Sequence, residues 1–132
     1  MSIHLGRLEK VELRDFFKDE ARDFTPWLAE ENNLELLGET LGLDIELEDT
    51  EVRIGKFSAD IVGLDRSSNR TIIIENQLEK TNHDHLGKII TYGGGKDAGI
   101  VIWICKKIQQ EHRKGLDYLN DISTEDYSFF GI

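Results

Sequence analysis

The stretch that most limits what this chain can fold into is residues 57–80, FSADIVGLDRSSNRTIIIENQLEK. It reads as two β-strands, residues 57–64 and 70–77, joined by a turn-forming cluster, Arg66-Ser67-Ser68-Asn69. With those four residues as the loop, Asp65 faces Arg70 and, counting back, Asp60 faces Glu75. Side chains alternate across a strand, so Glu75 and Gln77 share one face with Ile73, and Asp60 points to that face as well. Two carboxylates and an amide oxygen then meet on one patch of sheet.

Such a patch is unfavourable without a partner. Two like charges about 5 Å apart repel by roughly 3 kcal/mol at an effective dielectric near 20, and like charges facing each other weaken strand pairing. Either one carboxyl keeps its proton or a cation lies between them. Three oxygen donors with room for water suit a hard divalent cation such as magnesium. The alternative reading of the same spacing is a surface pair whose charges diverge into water.

The hairpin is followed by a helix over residues 83–92, stopped by Gly93-Gly94-Gly95, with Leu86, Ile89 and Ile90 on its apolar face and His85, Lys88 and Tyr92 on another. Thr81-Asn82-His83-Asp84 is its cap and acidic first turn. Residues 99–105, GIVIWIC, are apolar on both faces, as in a strand buried on both sides. Strand 71–77, helix and strand 99–105 therefore form a right-handed β-α-β crossover. Residues 107–120 read as an amphipathic helix with Ile108, His112, Leu116 and Leu119 inward. The end, Tyr127-Ser128-Phe129-Phe130-Gly131-Ile132, reads as the start of a strand, belonging either to a sheet edge or to a chain cut short.

Upstream, Thr25 caps a helix with Pro26 in its first turn, Asn32 or Asn33 interrupts it, Leu34, Leu37 and Leu41 form its stripe, and Gly42 ends it. Residues 44–54 form a strand that turns at Gly55-Lys56 into Phe57.

Asp60, then Glu75-Asn76-Gln77 on the next strand, then a helix carrying Lys88 and Tyr92, resembles the PD-(D/E)xK nuclease superfamily over roughly residues 25–120. The run IIIENQLEKTNHDHLGKIITYGGG looks like a bacterial and archaeal branch with a Glu-Asn-Gln variant of the motif. The resemblance implies an α/β fold, a restriction-endonuclease-like mixed sheet of four or five strands flanked by helices. It implies a magnesium site, with manganese as a substitute, held by Asp60 and Glu75 and joined by an acid of the first helix, Glu30 or Glu31 rather than Glu39. Glu51 ranks below those helix acids. Gln77 stands where the superfamily usually has lysine, and Ala59 where it has proline. Gln77 can orient a water or phosphate but carries no charge. Lys88 would supply that charge and Tyr92 would position. His83 and His85 diverge by about 200° on a helix and read as capping or polar contacts rather than as metal ligands.

A chain of 132 residues makes one domain, residues 1–132, with a modest core. No apolar run reaches the roughly 20 residues of a membrane span. The single cysteine, Cys105, forms no internal disulfide, so a cytoplasmic placement is the default. The net charge of −10 argues against tight, indiscriminate DNA binding, yet residues 1–66 carry −9 of it and residues 67–132 only −1. The expected function is that of a metal-dependent DNA endonuclease, with DNA rather than RNA as partner, no membrane, and a homodimer allowed. The alternative is a nuclease-fold module of weak or no activity that binds nucleic acid or a protein.

Overall fold

The computed structural model describes residues 24–54, 57–80, 82–96, 98–124 and 126–132. The charged segment before Phe24, the Gly55-Lys56 turn and Thr81 lie outside them. Two N-terminal helices, α1 (Thr25–Ala29) and α2 (Glu31–Leu41), lead into strands β1 (Ile45–Ile54), β2 (Phe57–Asp65) and β3 (Arg70–Lys80). Helix α3 (His83–Lys96), strand β4 (Ile100–Lys107), helix α4 (Gln110–Ile122) and strand β5 (Ser128–Gly131) complete the chain. The sheet order is β1-β2-β3-β4-β5, with β1, β2 and β3 antiparallel and β3, β4 and β5 parallel. This is an α/β fold with a five-stranded mixed sheet flanked by helices, within the four or five strands expected from the sequence. The last residues form its parallel edge strand. Among the described residues, no helix is long and apolar enough to cross a membrane.

Alternation along β3 and β4 builds the two halves of the core. Ile72, Ile74, Ile100, Ile102 and Ile104 face α1 and α2, where Leu28, Leu34 and Leu37 meet them. Ile73, Val101 and Trp103 face the other way, onto Ile89 of α3 and Leu116 of α4. Two consecutive parallel crossovers that advance across a sheet in one direction place both helices on one side, so α3 and α4 share a layer.

The hairpin has the register read from its turn, with Asp65 opposite Arg70 and Ile61 opposite Ile74. Asn69 takes the left-handed conformation, φ 60°, which asparagine tolerates. Asp65 is buried and organises the turn. Its carboxylate accepts from the Ser67 hydroxyl at 2.7 Å, the Ser68 hydroxyl at 2.6 Å and the Asp44 N–H at 3.0 Å. Burial alone would raise its pKa, but these hydrogen bonds outweigh it and lower the carboxyl from 3.8 to about 2. Because the folded value is depressed, the stability this group contributes is present above pH 3.8 and is lost as pH falls through about 2. Asp65→Ala should cost about 2–3 kcal/mol in denaturant unfolding at neutral pH. It should also flatten the acid limb of the stability profile; an unchanged limb would contradict this account.

Several boundaries differ from the sequence reading. The cap of α1 is Phe24, not Thr25; Thr25 is the first helical residue and is buried. The break between α1 and α2 falls at Glu30, which is extended, rather than at Asn32 or Asn33. Asn33 serves the break instead, its Nδ2 donating to the Trp27 carbonyl at 2.7 Å. Gly42 does end α2, at φ 75°, in a Schellman closure: Leu43 N–H donates to the Gly38 carbonyl at 2.7 Å. Helix α3 continues through Gly93-Gly94-Gly95 to Lys96. Each glycine costs about 1 kcal/mol, but that local preference yields to the packing of α3 on the sheet. Helix α4 begins at Gln110 rather than at residue 107, because β4 runs on to pair Lys107 with Lys80.

Candidate active site

Strand β3 presents Glu75 and Gln77 on the same side as Ile73, towards α3 and α4, with Glu75 opposite Trp103 and Gln77 opposite Cys105 on β4. Both acid and amide are buried. On β2, Val62 faces that side, but so does Ala59, with Ile61 facing the other, so alternation breaks around Asp60 and its position is read from its hydrogen bond rather than from counting. The β2–β3 pairing ends at Ile61–Ile74. One residue further, the Asp60 Oδ2 atom accepts the Asn76 N–H at 2.7 Å. A side-chain carboxylate takes the backbone donor at the point where the strands part, which holds Asp60 against Asn76, the residue that follows Glu75.

The other face of Asn76 explains Thr25. Asn76 Nδ2 donates to Thr25 Oγ1 at 2.9 Å, both residues being buried. This bond ties α1 to the strand that carries the candidate acids. It is also why Thr25 is drawn into the core rather than left as a cap.

Gln77 is held at both ends of its amide. The Trp103 indole N–H donates to Gln77 Oε1 at 3.0 Å, and Gln77 Nε2 donates to the Lys80 carbonyl at 2.9 Å. The Trp103 ring in turn lies 5.7 Å from the His112 ring. His112 Nε2 is 2.8 Å from His83 Nδ1, a contact that joins α4 to the first turn of α3. The sequence reading gave His83 a capping or a polar contact, and it makes the polar one. The α3 cap is Asn82, whose Oδ1 accepts the His85 N–H at 2.9 Å.

Lys88 is half-buried on α3, with its Nζ 3.5 Å from Asp84 Oδ2 one turn earlier. Tyr92 is in α3, but its side chain lies outside the described part of the molecule. The helix acids are placed elsewhere. Glu30 is exposed at the α1–α2 break, and Glu31 shares a cleft with Glu46, Leu47 and Arg66, at the turn end of the hairpin. That cleft is about six residues, or 20 Å, along β2 from Asp60. Neither helix acid joins Asp60 and Glu75 in a cluster.

Glu51 is closer than the sequence ranking had it. A register shift in β1 between Leu47 and Asp49 leaves Thr50 opposite Ile61 and Val52 opposite Ala59, so Glu51 lies opposite Asp60. It does so with a positive φ of 50°. Burial and then the Asp60 charge raise the Glu51 carboxyl above its usual range, against a weak bond from the Ser58 hydroxyl at 3.4 Å. A raised carboxyl contributes stability below its unfolded pKa that is lost as pH rises through the folded one. Glu51→Gln should therefore raise the melting temperature by about 2 °C at pH 7 and give no gain at pH 4. An equal gain at both pH values would show that charge is not the cause.

Among the described residues, no three His, Cys, Asp or Glu side chains gather closely enough to hold a metal. A cation here would have two carboxylates, with its other positions left to water or phosphate oxygens. Hard oxygen donors with several exchangeable positions are the set that magnesium takes, so Asp60 and Glu75 fit that ion.

Two solved structures share this architecture. One is a repair endonuclease from Pyrococcus abyssi, with 13% sequence identity and a TM-score of 0.55 over 78% of this chain and 44% of that one. The other is EndoMS, solved in a complex with dsDNA, with 14% identity and a TM-score of 0.60 over 95% of this chain and 47% of that one. The chain shares the fold of a part of each. It spans less than half the length of either. No protein-family model matches the sequence, and no curated protein matches it.

Proposed function

We propose that this chain is a magnesium-dependent phosphodiesterase domain of the PD-(D/E)xK type that acts on DNA. The observation that carries the reading is the placement of Asp60 against Asn76, next to buried Glu75, where β2 and β3 part. The likeness in fold to two endonucleases, one of them in complex with dsDNA, supports DNA as the substrate.

Asp60 and Glu75 would hold the cation, which supplies Lewis-acid charge against the scissile phosphate. Asp60 is pre-aligned by the Asn76 N–H. Gln77 acts by bracing: its amide locks the end of β3 to Trp103 and so fixes the rotation of the strand that carries Glu75. Lys88 supplies the positive charge that Gln77 lacks, by exchanging its exposed Asp84 partner for a phosphate oxygen.

The test is cleavage of labelled duplex DNA with magnesium or manganese, against a chelator blank. Wild type should cut only with metal, and Lys88→Ala should cut more than tenfold more slowly while still binding the ion. No cleavage above the blank would defeat the reading. It would favour a DNA- or protein-binding module, a second reading supported by the Gln77 amide, which is already committed to protein partners.

A further inference from the structure

Beyond Gln77, β3 ends at Lys80, which pairs with Lys107 at the end of β4 after a break in register. Two lysines side by side on adjacent strands repel. Helix α4 adds Arg113 and Lys114, and the four cations line one open cleft of about 750 Å³, with Glu111 and Asp117 as its acids. None of the four cations forms an ion pair with another described residue. In a chain of net charge −10, this is a local excess of positive charge, set against the sign of the whole molecule.

We propose that this cleft is the track for the phosphate backbone of the DNA, on the far side of the scissile position. The inference rests on the nuclease reading for its alignment with Glu75. Lys80 is five residues along β3 from Glu75, about 16 Å at strand rise. Residues 110–117 of α4 extend the cleft by roughly another 10 Å. A single free phosphate needs no such length, whereas a nucleic-acid strand presents charge along all of it. Lysine and arginine side chains that no described acid pairs with are available to bind phosphates without reading bases, so the contact is independent of sequence. The Gln77 amide, bonded to the Lys80 carbonyl, couples the cleft to the strand that bears the acids.

The experiment is fluorescence anisotropy of labelled duplexes of two unrelated sequences, in chelator so that nothing is cut, from 50 to 200 mM salt. The proteins are wild type, the triple variant Lys107→Ala/Arg113→Ala/Lys114→Ala, the single variants Arg113→Ala and Lys114→Ala, and Arg66→Ala as control. Arg66 is paired with Asp44 at the opposite end of the hairpin. The triple variant should bind both duplexes at least tenfold more weakly at 50 mM salt and lose roughly 2 to 3 from the slope of log K against log salt. Each single variant should lose about 1, and Arg66→Ala nothing. The single changes are on exposed side chains and keep the test valid if the triple variant does not fold. Equal slopes in all proteins, or no DNA binding by wild type, would overturn the inference. If the slopes fall as stated but wild type never cuts with magnesium, the cleft stands and the nuclease reading fails. If wild type cuts but the variants bind as it does, the reverse holds.

Discussion

Asp60→Ala is expected to reduce metal-dependent DNA cleavage by at least a hundredfold, to the level of the chelator blank. Asp60 does two things that alanine cannot. Its carboxylate is one of the two that would hold the cation, and its Oδ2 atom occupies the gap where β2 leaves β3 by accepting the Asn76 N–H. Losing one of the two proposed ligands would remove most of the ion's affinity, and with it the charge that would stabilise the transition state, an effect worth several kcal/mol. Asp60→Asn separates the two roles: its amide oxygen can still accept from Asn76, so the fold should hold while cleavage is lost. Gel cleavage assays on both variants, with melts alongside, check this. An Asp60→Asn protein that cuts like wild type would remove Asp60 from the chemistry.

The largest loss of stability should come from Trp103→Ala, about 4 kcal/mol or more. Trp103 is fully buried between β3 and the α3–α4 layer. Truncating a buried aromatic costs about 3–5 kcal/mol through lost contacts and the cavity left behind. The change also takes the indole N–H from Gln77 Oε1, leaving a buried amide oxygen short of its donor. Trp103→Phe should cost less, about 1–2 kcal/mol, since it keeps most of the volume and loses the hydrogen bond. Urea unfolding of the three proteins reads both numbers. Equal stability of wild type and Trp103→Phe would mean that the Gln77 bond contributes nothing. The same bond limits Gln77→Lys. That change restores the charge usual in the superfamily, but it buries an ammonium and leaves the Trp103 N–H without its acceptor.

How much of this was legible in the sequence depended on whether the signal was local. The hairpin register followed from the four-residue turn, and the β3-α3-β4 crossover from an apolar run too short for a helix. The break at Glu30 carries no glycine or proline to mark it. The bond from Asn76 to Thr25 spans 51 positions, and the contact between His83 and His112 spans 29; neither leaves a periodic trace. The rank of Glu51 is different. Extrapolating from Ile45–Asp65, the start of the ladder, points Glu51 at Ala59. The register shift after Leu47 moves it opposite Asp60. Counting instead from the two residues Gly55-Lys56, between Ile54 and Phe57, gives the observed pairing. The signal was present on the other side of the strand. Glu30 and Glu31 were carried by resemblance alone, and the split of α1 from α2 places Glu31 near Arg66 instead.

The central claim is that Asp60 and Glu75 together hold one divalent cation. Isothermal titration of magnesium or manganese into wild type and Asp60→Ala tests it most directly, without DNA or turnover. One site per chain in wild type, absent from Asp60→Ala while both proteins melt cooperatively, is the predicted result. No binding to wild type, or equal binding to both proteins, would contradict it.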